Sequence, residues 1–383
     1  MHRDVMANPL FYIFGYYGSK NAGDEAFKLA FRSLLPSGSE LRFLRPSELA
    51  GDRDLADLIR RRVEQGQARL IVGGGAIIGE PYFWEHLPAG TPFHIISADI
   101  GSRDFLLSRY QQSLGMARVS WIRSEADAEL LSGLAPGAGP IQFLPDIVHS
   151  VRPLASTIAR VSAMAPLDRS RALLERMAAH CENTVAPEQL RQKSMAIFLS
   201  DHYYDYRTIA SSNVLEGIER NAADTLYLSR LRQALDEILQ YYNLYFFSLS
   251  YWFNSIDVYV AYRLARFSRL APFYNLVNRY LDPGEILDLM SYFDAAISMK
   301  FHGLVFPLSA GVPVMNLGSS KKNRDLAQQM GLLSVLPEEF TVPRFLQALK
   351  QVESPEYGTS LAETQRLAHE AILAAFATPG LWS

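Results

Sequence analysis

Short runs of apolar and β-branched residues alternate along the chain with segments whose apolar positions recur every three or four residues. The runs of the first half are LFYIF (10–14), LRFLR (41–45), RLIVG (69–73), FHIIS (93–97), VSWI (119–122) and IQFL (141–144). Those of the second half are MAIFLS (195–200), LYFFSLS (244–250), DAAISM (294–299) and VPVMNL (312–317). Such runs read as strands, and their alternation with helical patterns predicts an α/β fold on parallel sheets. After the first run, Ala26, Phe27, Ala30, Phe31, Leu34 and Leu35 share one face, which predicts a helix closed by Pro36 and Gly38. A highly charged surface helix is expected near 53–65. Asp282 as N-cap and Pro283 at the first helical position predict another over 283–292.

The strand signal stops between residues 151 and 193, where Arg-rich helical sequence with three prolines intervenes. This predicts an N-terminal β/α domain (1–152), a helical connection (153–193), a C-terminal β/α domain (194–345) and a helical tail (346–383). The expected architecture is therefore α/β, with two Rossmann-like domains facing a cleft. In such sheets ligands bind beyond the carboxyl ends of the strands, so the loops there are the places to look for chemistry.

The chain of 383 residues suits two domains, and 49% hydrophobic with 20% charged residues is ordinary for a globular enzyme. A net charge of −3 gives no bulk attraction to nucleic acid. One cysteine, Cys181, excludes an internal disulfide and a cysteine-based zinc site and fits a reducing compartment. The apolar start LFYIFGYYG reads as strand and turn rather than a signal peptide, and no apolar run reaches the length of a membrane span. A cytoplasmic protein is expected, with peripheral contact to the inner face of the membrane left open.

Three loops stand out. The first is FGYYGSKNAGDEA (14–26), whose Gly18 and Gly23 have the spacing of a phosphate-binding loop. Such a loop goes on to Lys and Ser or Thr. Here Asp24 and Glu25 follow, which suit the positive end of their own helix and are poor ligands for phosphate. Asn21 can both donate and accept. The second is VGGGAIIGE (72–80), where Gly73, Gly74 and Gly75 suit either close approach of a ligand, or a tight turn or packing contact with another loop. The third is SMKFHGLVFPLSAGVPVMNLGSSKKNRD (298–325). Lys300 and His302, two apart on an extended turn before an apolar helix, would point the same way toward an anion. Ser319, Ser320, Lys321, Lys322 and Arg324 open a second anion-friendly helix entrance after the next strand.

The other histidines carry less. His94 reads as core or edge of its strand, while His149, and Asp201 with His202, follow strand ends where a cleft position is open to them. No spacing matches a metal motif such as HExxH. The aromatic stretch 241–280, with Arg263, Arg266 and Arg269 interleaved, could stack on sugar or touch a membrane surface. A buried strand followed by an amphipathic helix with an arginine face is the plainer reading.

Taken in order, GYYGSKNAGDEA, IVGGGAIIGE and SMKFHGLVFPLSAGVPVMNL resemble the polysaccharide pyruvyl transferase family over roughly residues 11–333. The family shows GYYGxxNxGDEA, then VGGG, then Ser-(Arg or Lys)-x-His-(Ala or Gly) followed by AGVPV. The basic Lys322 and the closing Gly331–Leu332 also match. Two positions depart from the pattern: Lys300 stands where arginine is usual, and Arg123–Ser124 where Arg-Asp is usual. The resemblance implies a GT-B-like fold and transfer of pyruvate from phosphoenolpyruvate to a sugar of a surface polysaccharide or exopolysaccharide, as a ketal bridging two hydroxyls. It gives His302 the role of general acid or base and Lys300 that of holding the donor. The chemistry of the transfer adds Lys322 and Arg324, with Ser319 and Ser320, on the donor side. It leaves Asp24, Glu25, Asn21 and the glycines 18, 23 and 73–75 to the acceptor, with Asp24 a candidate for catalysis. No cofactor or metal is implied. The sugar could be free, nucleotide-linked, lipid-linked or polymeric. Two rival readings keep the same fold: a glycosyltransferase using a nucleotide sugar, and a non-catalytic subunit of carbohydrate assembly.

Overall fold

The structure, a computed structural model, describes residues 9–78, 80–100, 107–135, 137–182, 184–200, 214–252, 255–265, 268, 273–379 and 381–382. Asp201, His202, Arg266 and Arg269 lie outside the described residues. The chain divides into two compact units, Met1–Val151 with Ala368–Ser383, and Arg152–Leu367.

The first unit is built on six parallel strands: β1 (Leu10–Phe14), β2 (Glu40–Leu44), β3 (Ala68–Ile78), β4 (Phe93–Ile100), β5 (Ala117–Ile122) and β6 (Ile141–Phe143), in the order β2-β1-β3-β4-β5-β6. All five residues of β1 and all eight of β4 are buried, as expected of strands covered on both faces. The helix Ala22–Leu34 buries Ala26, Phe27, Ala30 and Phe31, the stripe its spacing predicts. Its first turn carries Asp24 and Glu25, which oppose the positive end of the helix dipole. The end of the chain packs here too: Phe376 lies against Trp121, and Trp382 against Phe11 and His94.

The second unit has strands β7 (Lys193–Phe198), β8 (Tyr242–Phe247), a short antiparallel pair β9 (Tyr251–Trp252) and β10 (Ser255–Ile256), then β11 (Tyr274–Leu276), β12 (Ala295–Ser298) and β13 (Val314–Asn316). Its main sheet is parallel in the order β11-β8-β7-β12-β13. The aromatic run is mostly core: β8 is buried throughout, and the helix Val258–Ala265 buries Val260, Ala261 and Leu264 while Tyr259 and Arg263 are exposed. Residues 153–193, read from sequence as a connection, lie within this unit. The reason is an apolar face, Leu173, Leu174 and Met177, that the helix Pro166–Met177 buries, while Asn243 of β8 donates to the carbonyls of Arg191 and Lys193. Among the described residues, no helix is long and apolar enough to cross a membrane.

His94 is buried in the middle of the first sheet. Burial first, and then the charges of Arg118 and Arg69, lower its pKa to about 4. The folded protein therefore keeps this imidazole neutral while the unfolded chain protonates it below about 6.5. Stability from this group is complete above that pH and drains away as the pH falls toward 4. At pH 5 the loss should be about 2 kcal/mol. Urea unfolding at pH 7 and pH 5 checks this: His94→Phe should lose less stability over that interval than the parent protein, and an equal loss contradicts the assignment.

Candidate functional site

Two groups of side chains gather at the carboxyl ends of strands, one in each unit. In the first, the opening loop is held by its own residues. Asn21 caps the helix Ala22–Leu34, its side chain accepting from the Gly23 N–H at 3.1 Å. Glu25 accepts from the Gly18 N–H and pairs with Lys28 at 2.7 Å. Gly18 and Lys20 adopt left-handed backbone (φ 77° and 54°), which closes the turn. Tyr17 is buried and its hydroxyl donates to the Gly73 carbonyl at 2.8 Å, fixing the loop to β3.

VGGG is not a loop, as its composition suggested; β3 continues through it to Ile78 with an irregularity after Gly75. The glycines answer a packing demand. A Cβ on Gly73 would lie 2.8 Å from the Phe31 ring, and one on Gly74 only 2.5 Å from that of Phe27. The first helix thus lies on bare backbone. Gly75 differs: a Cβ there would be 3.4 Å from an Asp24 carboxylate oxygen. Of the two acids, Glu25 is engaged inside its own turn, while Asp24 lies over the end of β3. The Tyr16 hydroxyl, raised to about 12 by burial and then by Glu80 and Asp24, marks the same acidic corner.

Further along this sheet sits a buried triad that the sequence did not disclose. Arg123, just after β5, pairs with Asp99 at the end of β4 and with Asp146 beyond β6, at 2.8 Å each. Burial raises the Asp146 carboxyl while Arg123 pulls it down. Ser124 accepts from the Asp127 N–H as N-cap of the helix Glu125–Leu134. Serine here does the capping that an aspartate would do. His149 is fully buried in the 3-10 turn Ile147–Ser150.

In the second unit, β12 and β13 pair in parallel, so the two helix entrances expected from sequence do lie side by side. A helix runs from Phe301 to Ser309 after β12, and another from Lys321 to Met330 after β13. Asn323 joins them. It is fully buried and donates to the Met299 carbonyl (3.0 Å) and to Asn316 (3.3 Å), while the Ser320 hydroxyl donates to its oxygen at 2.9 Å. Asn316 accepts from the Gly318 N–H and donates to the Gly318 carbonyl. Gly318 has no room for a side chain, since a Cβ would lie 2.4 Å from Asn323. Ser319 is buried, and Lys322 and Arg324 are exposed in the first turn.

Lys300 and His302 are arranged differently from the expectation. The helix begins at Phe301, so Lys300 is its extended N-cap and His302 already lies in the first turn. The period-two argument for a shared direction therefore does not hold across this boundary. Ser298 fixes the turn, accepting from the Lys300 N–H and donating to the Lys300 carbonyl. Neither Lys300 nor Ser320 caps its helix with its side chain. His302 is half-buried, edge-on to Phe301 and near Phe306. Gly303 must be small, because a Cβ would meet Ser298 Oγ at 2.3 Å and Phe198 at 2.6 Å. The Lys300 ammonium is met by a residue absent from the sequence reading: Asp257, 2.8 Å away. Among the described residues, no group of three or more His, Cys, Asp or Glu could hold a metal ion.

Solved structures share this fold. A UDP-forming α,α-trehalose-phosphate synthase from Burkholderia vietnamiensis matches with a TM-score of 0.55 at 9% identity, over 98% of this chain and 95% of its own. UDP-GlcNAc 2-epimerases match similarly. The one from Methanocaldococcus jannaschii has a TM-score of 0.52 at 10% identity over 94% and 99% of the two chains. The one from Neisseria meningitidis has 0.51 at 11% over 96% and 100%. The class is thus GT-B, the α/β fold of glycosyltransferases and epimerases. No curated protein matches the sequence. The chain belongs to the polysaccharide pyruvyl transferase family, whose sequence pattern matches residues 21–321.

Two substitutions test the packing assignments. Gly74→Ala combines overpacking against Phe27 with left-handed backbone (φ 85°). It should cost on the order of 3 kcal/mol in urea unfolding. Asn323→Ala strands the Met299 carbonyl and the Ser320 hydroxyl, and should cost about 2–3 kcal/mol. A loss below about 0.5 kcal/mol, the range of an ordinary surface change, would contradict either assignment.

Proposed function

We propose that this pyruvyl transferase moves pyruvate from phosphoenolpyruvate onto a sugar as a pyruvate ketal, releasing phosphate. The observation that carries the reading is the adjacency of two helix entrances after β12 and β13, one bearing Lys300 and His302, the other Ser319, Ser320, Lys322 and Arg324. Phosphoenolpyruvate brings a phosphate and a carboxylate, and both need cations and N–H groups. Helix N-termini with basic side chains supply that chemistry.

The reaction divides into two steps. A proton delivered to the methylene carbon makes the adjacent carbon electrophilic, and a sugar hydroxyl adds there. A second hydroxyl then displaces phosphate and closes the ketal. One hydroxyl proton balances the proton gained by the new methyl group, and the other leaves with phosphate. His302 is assigned the proton transfer, because imidazole titrates near neutrality. Lys300, Lys322 and Arg324 hold the donor and neutralise its phosphate and carboxylate. Asp24 is the acid of the first unit assigned to the acceptor, as a carboxylate that can accept from sugar hydroxyls. The acceptor belongs to a surface polysaccharide or exopolysaccharide, or to its nucleotide- or lipid-linked precursor.

Phosphate release from phosphoenolpyruvate should require a sugar with two suitably placed hydroxyls. His302→Ala, shown folded by circular dichroism, should lower kcat by about 100-fold or more, the share general acid–base catalysis usually contributes. Wild-type turnover in that variant would remove His302 from the proton step. Thermal stabilisation by UDP but not by phosphoenolpyruvate would replace the donor with a nucleotide sugar.

A further inference from the structure

We propose that Asp257 is the positioning residue for Lys300. It holds the ammonium in place before any donor arrives, and so lets a flexible lysine serve where the family usually has arginine. The proposal rests on the donor-binding reading given above.

Asp257 is almost wholly buried, and its two oxygens face different partners. Oδ2 accepts from the backbone N–H groups of Leu249 and Ser250, each at 3.0 Å. Oδ1 meets the Lys300 ammonium at 2.8 Å. Leu249 and Ser250 follow β8, and Lys300 follows β12, with β7 between those two strands. One carboxylate therefore links two strand-end loops across the end of a third. Burial raises the Asp257 carboxyl, and Lys300 with the two N–H groups pulls it back down. The lysine is not sealed in: its side chain keeps 18% exposure while that of Asp257 has none. An ammonium has three donors. One goes to Asp257, and among the described residues no other ion pair engages the ammonium at its exposed side.

Lysine and arginine differ in what must be ordered. Arginine presents a pre-organised planar fork that loses little freedom per hydrogen bond formed, whereas lysine is a point charge on a flexible four-carbon stem. A fixed carboxylate behind the ammonium removes that freedom in advance, which is preorganisation. The buried ion pair is poor evidence for stability, because desolvation offsets its attraction. Its geometry is better explained by placement of the cation.

Asp257→Asn separates the two duties of the residue. The amide oxygen can go on accepting from Leu249 and Ser250, while the NH₂ group turns a donor toward the ammonium and releases it. In the full-length protein, Lys300 acetylation by a water-soluble acetylating reagent should then speed up several-fold by peptide mass spectrometry, with exposed Lys322 as internal reference. KM for phosphoenolpyruvate should rise about tenfold with kcat nearly unchanged, a loss the size of one charge-assisted hydrogen bond. In a Lys300→Met background the same substitution should leave KM where Lys300→Met alone puts it, and it should recover stability by removing an unpaired buried charge. Unchanged Lys300 labelling in Asp257→Asn overturns the proposal. So does a KM effect that persists in full on the Lys300→Met background, since that would make Asp257 a structural residue only. Labelling needs no substrate. A protein that never turns over phosphoenolpyruvate would defeat the donor assignment while labelling still decided the Asp257–Lys300 relation.

Discussion

The second unit's site depends on one buried carboxamide. Parallel pairing brings the ends of β12 and β13 together, but it does not fix the loops beyond them. Asn323 does, because its nitrogen reaches back to Met299 and Asn316 while its oxygen takes the Ser320 hydroxyl. Every polar group of that side chain is used, and burial makes each bond costly to lose. Gly318 follows from the same demand, since a side chain there would occupy the space of the Asn323 nitrogen. Gly303 meets a parallel demand on the neighbouring helix, where Ser298 and Phe198 leave no room for more. The small residues and asparagines of this region are thus the conditions under which two helix entrances sit at a fixed spacing.

The first unit reaches its shape by the opposite device, absence of side chains. Phe27 and Phe31 lie on the backbone of Gly74 and Gly73, so the first helix of the unit rests on bare backbone. That approach carries Asp24 to the end of β3. Glu25 is drawn back to the Gly18 N–H and to Lys28. A loop that looks like a failed phosphate cradle is therefore a self-capped turn. The cost is left-handed backbone at Gly18, Gly74 and Gly75, cheap for glycine and not for other residues.

Strands and the main helices were legible because their apolar period is strong and local. β1, β4, β7 and β8 are near-continuous apolar runs, and the Asp282–Pro283 start signal marks the helix that forms there. β11 was missed because three residues carry no period. VGGG was misread as loop because glycine is a turn signal in sequence, whereas here it answers to Phe27 and Phe31, more than forty positions earlier. Lys300, His302 and the basic second loop were singled out as candidates through motif spacing. Asp257, Asp99 and Asp146 were not, because a lone aspartate acquires its meaning from a partner distant in sequence: Lys300 for the first, Arg123 for the other two. Burial of charge is a property of the fold, and composition does not announce it.

The two buried ion clusters also differ in a way that bears on function. Arg123 has both carboxylates around it and its side chain is almost wholly enclosed, so its charge is spent inside the first unit. Among the described residues Lys300 pairs with one carboxylate, that of Asp257, and its side chain stays partly exposed. A cation balanced on all sides can hold elements together but has little to offer a ligand. A cation balanced on one side is held in place and still presents donors on the other. By this criterion Lys300, rather than the more heavily paired Arg123, is the buried-edge cation suited to meeting an anionic donor. The lysine–arginine departure at position 300 is then a change in how rigidity is supplied, from the side chain's own plane to the carboxylate behind it.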